Sequence, residues 1–428
     1  MLTLEERIKA LRAGACVLAS ASDSTRKQAL ECIASALEAH RAEIENANKL
    51  DIEKAEKEGI SDSLLHRLKF SGDKIDSAVK GLRELSQLPD PIGKVREMRE
   101  LDPGFVLKKV AFPIGVIAMI FEARPEALVQ IAGLALRSGN AVVLKGGKEA
   151  EESNRTLVRI IDEATSSLIG DKWILGIESH ADVNTMLGLD EDIDLVIPRG
   201  SNKFVSYVME HTKIPVIGHS DGICSVYIDS SADIDMAVRI AVDSKVQYPA
   251  ACNAAETILV HSEIAPRFLP LLGKTFSELG VKMHGDAETL KYIPSALKAT
   301  EDDYHTEYLS LECAVKVVSS IEEAIEHIAS HGSHHTDAIV TASEEAKELF
   351  FRTVDSADVF CNCSTRFADG FRFGLGAEVG ISTSKIHARG PVGLDGLMTT
   401  KWLLSGHGET VSMYSGPDGR QFHHKELM

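Results

Sequence analysis

Cys252 stands in Tyr248-Pro249-Ala250-Ala251-Cys252-Asn253-Ala254-Ala255-Glu256-Thr257, a turn of small residues just ahead of an apolar run. A thiol in such a turn is reachable, and free backbone N–H groups beside it would lower its pKa and hold an oxyanion. That chemistry makes Cys252 a candidate nucleophile; the other reading is an inert buried thiol, since free cysteine packs as a small hydrophobe. A second feature is Val142-Val143-Leu144-Lys145-Gly146-Gly147-Lys148-Glu149-Ala150, an apolar run that ends in two lysines and two glycines and then opens a helix. Gly146 and Gly147 let backbone approach a ligand, and a helix start adds positive partial charge, so a phosphate would be received there. A plain strand-to-helix connection with surface lysines is the alternative. No Gly-x-Gly-x-x-Gly follows the first strand of this unit, so the ordinary dinucleotide fingerprint is missing. The Cys361-x-Cys363 pair and the His331-Gly332-Ser333-His334-His335 cluster lack a second ligand pair at finger-like spacing, and no metal is expected.

The elements that must position these turns follow from hydrophobic spacing. Residues before Pro89 read as helices: after Ser22-Asp23-Ser24, the positions Leu30, Ile33, Ala34 and Leu37 mark one face, and Gly59 stands where that long helical region should stop. Such a charged helix equally suits a solvated flank. Between Val95 and Lys109 polar and apolar residues alternate around Asp102-Pro103-Gly104, as in a hairpin. Short apolar runs at 116–121, 141–144, 173–177, 195–197 and 216–217 then alternate with helical patterns ending in signals such as Ser138-Gly139-Asn140. Strands apolar on both faces and separated by helices imply a parallel sheet covered on both sides. A second alternating set runs from Ser225 to about Ser384, with strands at 225–229, 257–260, 338–340 and 359–361. The Gly- and His-rich tail holds a strand candidate at 410–413 and reads as an arm that pairs with a neighbouring subunit.

Composition narrows the partners. With 428 residues and 44% hydrophobic content the chain exceeds one core and can bury two. A net charge of −18 and a pI near 5.4 argue against nucleic acid, so any anionic ligand must be met by local cations. No apolar stretch reaches membrane-helix length and the N-terminus has no basic segment leading into one, so a soluble cytoplasmic protein is expected. Seven scattered cysteines suit reduced thiols better than a disulfide framework.

Put together, Cys252 about a hundred residues after the Lys145 turn resembles the layout of the aldehyde dehydrogenase superfamily. Pro198-Arg199-Gly200-Ser201 resembles its Phe-Thr-Gly-Ser turn, which faces the cofactor pyrophosphate. Glu307-Tyr308-Leu309-Ser310-Leu311 is similar to the segment whose Glu holds the nicotinamide ribose, and Phe373-Gly374-Leu375-Gly376 to the late Phe-Gly-Gly loop. Within the superfamily, Ile120-Phe121-Glu122-Ala123-Arg124-Pro125, Asp221-Gly222-Ile223-Cys224, Val246-Gln247, Phe373-Gly374-Leu375-Gly376-Ala377-Glu378 with Gly380-Ile381-Ser382-Thr383, and Ala388-Arg389-Gly390-Pro391-Val392-Gly393-Leu394 resemble the gamma-glutamyl phosphate reductases.

That resemblance implies an α/β, aldehyde dehydrogenase-like fold with two parallel-sheet domains and a small β-hairpin oligomerisation element. The expected division is 1–93 with 113–222 as a Rossmann-like NADP-binding domain, 223–386 as the catalytic domain, and 94–112 with 387–428 as the arm. It implies NADPH-dependent reduction of gamma-glutamyl phosphate to glutamate 5-semialdehyde through a Cys252 thioester, a step of proline biosynthesis, in a homo-oligomer coupled to glutamate 5-kinase. Lys145, Gly146, Gly147, Lys148, Gly200, Ser201, Glu307 and Phe373 would hold the cofactor. Arg124, Ser364, Thr365 and Arg366 would hold the anionic substrate. NAD-using relatives carry Lys-Pro-x-Glu at the strand end, where the Glu repels a 2′-phosphate; Lys148 at that position favours NADPH. Two departures matter. His219-Ser220-Asp221-Gly222-Ile223 replaces the word carrying the water-activating Glu, which an enzyme releasing an aldehyde does not need. Ala123 replaces the oxyanion Asn, so the Cys252 N–H and Asn253 become the expected donors. The competing readings are a related acylating aldehyde dehydrogenase acting on another acyl phosphate or thioester, a hydrolase pairing Cys252 with His219, His261, His335 or His387, and a catalytically silent protein of this fold.

Overall fold

The chain opens with α1 (Leu4–Ser20), α2 (Asp23–Ala39), α3 (Arg41–Lys57), α4 (Asp62–Leu68) and α5 (Asp73–Gln87). The structure is a computed structural model describing residues 2–122, 124–200, 202–218 and 221–428, with the backbone alone at 62, 63 and 180. Ser22 caps α2 by accepting from the Thr25 N–H, which is why the Ser-Asp-Ser turn starts a helix. The helical region expected to run unbroken to Gly59 is interrupted at His40, shared by the ends of α2 and α3. Gly59 does mark its stop, with φ +71 just beyond α3. These helices are no solvated flank. Ile8, Leu18, Leu30, Ile33 and Leu37 are fully buried in the core of the first sheet, each contributing roughly 1.5–3 kcal/mol by leaving water.

That sheet is four-stranded and parallel: β3 (Val116–Ile120), β4 (Ala141–Lys145), β5 (Ile174–Ile177) and β6 (Leu195–Pro198) in the order β5-β4-β3-β6. It follows the hairpin β1 (Val95–Asp102) and β2 (Phe105–Pro113). Every residue of β3, β4 and β6 is buried, as strands covered on both faces require. The 216–217 run makes only an isolated bridge, Val196 to Val216. Ile120 pairs with Lys145 on one side and Pro198 on the other, so the Lys145 and Arg199 turns leave the same carboxyl edge, flanking β3. Open parallel sheets bind ligands at that edge.

The second sheet is parallel and seven-stranded. It comprises β7 (Cys224–Ile228), β8 (Ala255–His261), β9 (Lys282–Gly285), β10 (Leu297–Lys298), β11 (Glu312–Val318), β12 (Thr336–Val340) and β13 (Asp358–Cys361), ordered β10-β9-β11-β8-β7-β12-β13. The strands β9 to β11 were not legible in the spacing. Lys282-Met283-His284-Gly285 is short and polar; tertiary partners recruit it, because Lys282 Nζ and His284 Nε2 both meet Glu312 of β11, at 2.5 and 2.6 Å, while Met283 is buried. Beyond a two-residue ribbon, β14 (Ile381–Ser382) with β15 (Gly390–Pro391), come β16 (Met398–Ser405) and β17 (Lys425–Glu426).

The tail corrects one expectation. Its strand lies at Met398–Ser405, whose Thr, Trp and Leu suit a pleated surface, whereas 410–413 falls in a 3-10 turn, Val411–Tyr414. The arm also pairs within its own chain: β16 lies antiparallel on β2 and β17 on β1, in the order β16-β2-β1-β17. Tyr414 fastens the turn by donating to Asp102 at 3.0 Å and stacking on Phe422. Among the described residues no helix is long and apolar enough to cross a membrane.

Candidate active site

Between the two sheets lies a cavity of about 930 Å³, lined from one side by Phe121, Arg124, Arg199 and Gly200 and from the other by Cys252, Glu307, Arg366 and Glu378. Cys252 is half-buried in the turn before β8. Its backbone is pinned from behind. A Cβ on Gly222 would lie 2.1 Å from the Cys252 carbonyl oxygen, and the buried Cys224 thiol donates to that same carbonyl at 3.3 Å. Only glycine allows the 221–224 segment to run so close.

The thiol's proton is held more tightly than the sequence suggests. Burial pushes the Cys252 pKa up to about 12, the Glu307 and Glu378 carboxylates push the same way, and Arg199 and Arg366 pull against them. The expected lowering by backbone N–H groups is overturned because desolvation of a thiolate outweighs two nearby cations.

Arg199 follows β6 and was not singled out as an anion holder in the sequence. Burial lowers its pKa while Glu378 raises it. The available signal was an arginine at the carboxyl end of an otherwise apolar buried strand. Arg366 is 9% exposed, with Nε donating to Gln247 at 3.0 Å and its guanidinium 5.9 Å from the Tyr248 ring centre. Arg124 ends the loop before the helix Pro125–Ser138 and is exposed on the cavity wall. Arg124, Arg199 and Arg366 thus share one cavity with the thiol in a chain of net charge −18.

Two of the other expected site residues line the cavity and three do not. Asn253 lines the cavity beside Cys252, and one N–H of its amide donates to the Ala368 carbonyl at 2.7 Å, bracing the 366–369 loop. Ser364 and Thr365 are buried against Ser244, which meets the Ser364 hydroxyl at 3.2 Å and accepts from the Thr365 N–H; neither lines the cavity. Their role is to shape the turn that presents Arg366. Phe373 packs edge-on to Phe360 at 6.2 Å and lies off the cavity wall. Glu307 does line it, accepting from Asn202 at 2.9 Å and from the Gly222 N–H at 3.0 Å, which ties the two sheets' loops together. Ala123, Ser201 and His219 lie outside the described residues.

The Lys145 turn closes tightly at the carboxyl end of β4. Lys145 is buried and folds back on the Gly146 carbonyl at 2.5 Å; a Cβ on Gly146 would lie 2.0 Å from the Asn154 amide. Burial lowers the Lys145 pKa, with Glu149, Asp182 and Glu151 opposing. Lys148 is exposed at the start of the turn Lys148–Ala150. A cofactor's phosphate fits this donor set, a buried ammonium beside two close-approach glycines at the carboxyl end of a parallel strand.

A family model described as "Aldehyde dehydrogenase family" matches residues 3–306. The chain belongs to the aldehyde dehydrogenase family. That family uses nicotinamide cofactors. Among its members, the gamma-glutamyl phosphate reductase of Natronomonas pharaonis is 51% identical over 99% of this chain and 98% of its own length. That of Acetivibrio thermocellus is 54% identical over 93% and 92%. The crystal structure of gamma-glutamyl phosphate reductase from Thermotoga maritima superposes with a TM-score of 0.93 at 39% identity, covering 95% of this chain and 99% of that one. An acetylating aldehyde dehydrogenase from Geobacillus thermoglucosidasius shares the fold, with a TM-score of 0.64 at 17% identity over 95% and 97%. The aldehyde dehydrogenase-like α/β architecture expected from the motifs is therefore correct.

Proposed function

We propose that this chain catalyses the NADPH-dependent reduction of gamma-glutamyl phosphate to glutamate 5-semialdehyde and phosphate, a step of proline biosynthesis. The observation that carries the reading is that the half-buried Cys252 shares one cavity with Arg124, Arg199 and Arg366. A substrate with a phosphate and an α-carboxylate needs cations that the acidic chain as a whole does not offer. The names of the most similar relatives point to the same substrate.

Cys252 Sγ attacks the acyl carbon; the S–C bond forms as the C–O bond to phosphate breaks, and the phosphate leaves with the electron pair. The thiol proton passes to the departing phosphate, which agrees with a cysteine protonated at rest. Arg199 and Arg366 oppose the charge that develops on sulfur and phosphate, and the Cys252 N–H faces the oxyanion. A nicotinamide cofactor held there would supply a hydride to the thioester carbon; as the aldehyde forms, the C–S bond breaks and Cys252 Sγ leaves with the electron pair and takes up a proton. Lys145, Gly146, Gly147, Lys148, Gly200 and Glu307 would hold the cofactor, with Lys148 meeting the 2′-phosphate.

A labile acyl phosphate favours hand-over from the enzyme that makes it, so functional coupling to glutamate 5-kinase belongs to this reading. Seven unpaired cysteines suit a reducing, cytoplasmic setting. The unpaired edge of β16, with exposed Trp402, Leu403 and Leu404, favours a homo-oligomer; a stable monomer in sedimentation at micromolar concentration would contradict it. The activity itself is tested in reverse, with pyrroline-5-carboxylate, phosphate and NADP+, on wild type and Cys252→Ala. Phosphate-dependent NADPH formation by the wild type alone is expected; formation without phosphate, or by both proteins, overturns the reading.

A further inference from the structure

We propose that Arg67, alongside Arg124, binds the α-carboxylate of the glutamyl substrate and so sets which acyl phosphates are accepted; the inference rests on the reaction proposed above. Arg67 lies in the last turn of α4, half-buried, and lines the active-site cavity with Leu64 of the same helix. Among the described residues its guanidinium has no ion pair and no hydrogen bond. That is unusual in this chain. Asp and Glu outnumber Lys and Arg by 64 to 46, and Arg12, Arg26, Arg41 and Arg83 of the same helical region each meet a carboxylate. Drawing an arginine part-way out of water without a counter-charge costs free energy, which a bound anion recovers.

The fold fixes the backbone around Arg67 and leaves its charge free. A seven-residue helix is too short to be stable alone. Buried Asn48 of α3 sets its exit, donating to the Leu68 carbonyl at 2.9 Å and accepting from the Phe70 N–H at 2.7 Å. Lys74, in the first turn of α5, donates to the His66 carbonyl at 2.9 Å and lies 3.6 Å from the carboxylate of Glu126, in the first turn of the helix Pro125–Ser138. One lysine thus ties the residue before Arg67 to the helix that starts just after Arg124. The cavity's cations then divide. Arg199 and Arg366 pull the pKa of the Cys252 thiol down, so their charge is felt where the phosphate leaves. Arg124 is felt at Arg199, whose pKa it lowers. Gamma-glutamyl phosphate carries its second anion at the other end of its carbon chain, so the cations that meet the phosphate cannot also hold the carboxylate. A planar guanidinium matches the two oxygens of a carboxylate. Lys203, the remaining cation on the cavity wall, stands in the first turn of the helix Asn202–Glu210, beside the Gly200 turn assigned above to the cofactor.

The test is the reverse reaction of the full chain, with pyrroline-5-carboxylate and its open aldehyde, phosphate and NADP+ each varied in turn. Arg67→Ala should raise KM for the aldehyde at least about tenfold, as loss of hydrogen bonds to a charged group does. Its kcat, its KM for phosphate and for NADP+, and its melting temperature should match the wild type. Arg67→Lys keeps the charge without the fork and should give a smaller rise in the same KM. Should Arg67→Ala not fold, Arg67→Lys carries the expectation. An arginine that only braced α4 would lower kcat and the melting temperature without singling out the aldehyde, and that result overturns the assignment. So does an unchanged KM for the aldehyde, or a rise confined to phosphate or NADP+. A wild type with no phosphate-dependent turnover overturns the reaction itself, and the role of Arg67 with it.

Discussion

A Cβ on Gly222 would lie 2.1 Å from the Cys252 carbonyl oxygen and 2.6 Å from its Cα. Backbone cannot yield as a flexible side chain does, so Gly222→Ala must displace the nucleophile turn. A misplacement near 1 Å costs roughly a hundredfold in a reaction that depends on alignment. We expect kcat/KM to fall by about that factor with the overall fold retained by circular dichroism; a loss under threefold would show that the turn relaxes freely.

Cys252 should be sluggish at rest. With its pKa pushed up to about 12, the thiol is protonated across neutrality, and iodoacetamide labelling of its peptide, read by mass spectrometry, should climb about tenfold per pH unit from 7 to 10. A plateau below pH 9 would mean that the cations win over burial. Cys252→Ser should abolish turnover with the fold intact, and residual activity within tenfold of wild type would remove Cys252 from the mechanism.

Behind the nucleophile, Lys245 and Glu256 form an ion pair at 2.5 Å with both side chains inaccessible, and Glu256 accepts from the Leu309 N–H at 3.4 Å. Lys245→Met strands a buried carboxylate and should cost roughly 3–5 kcal/mol in denaturant unfolding, while the Lys245→Met/Glu256→Leu double variant should recover most of it. Burial raises the Glu256 pKa from 4.5 to about 7 against the pull of Lys245. The folded carboxyl therefore keeps its proton where the unfolded one loses it. Its contribution to stability falls as pH rises from 4.5 to about 7, and the double variant should lack that slope. Equal stability losses in the single and double variants would refute the pairing argument.

Cofactor choice turns on one charge. Lys148 should give the wild type a preference for NADPH on the order of a hundredfold, and Lys148→Glu should reduce it, measured as kcat/KM with each cofactor. The opposing group is Glu149, whose carboxylate lies where a Cβ of Gly147 would be, 2.1 Å from its oxygen. Equal use of NADH and NADPH by the wild type, or an unchanged preference in Lys148→Glu, would refute the role of Lys148.

What the sequence determined by itself is local. The small-residue turn around Cys252, the glycine-and-lysine turn after an apolar run, and the alternation of buried strands with helices are each encoded within about ten consecutive residues, because strand burial and turn chemistry act at that range. The longer motif words carried the family for the same reason. Tertiary structure alone decided which side chains reach the cavity. Ser364 and Thr365 are polar neighbours of the site in sequence, yet Ser244, more than a hundred residues away along the chain, claims their hydrogen bonds. Arg199 and Glu378 come from opposite ends of the motif series and meet at Cys252 only because the two sheets close on one cleft. The polar strand at Lys282–Gly285 and the pairing of the tail with its own hairpin are likewise settled by partners far off in the chain. A buried polar group must find its partner wherever folding places one, and spacing along the chain does not carry that information.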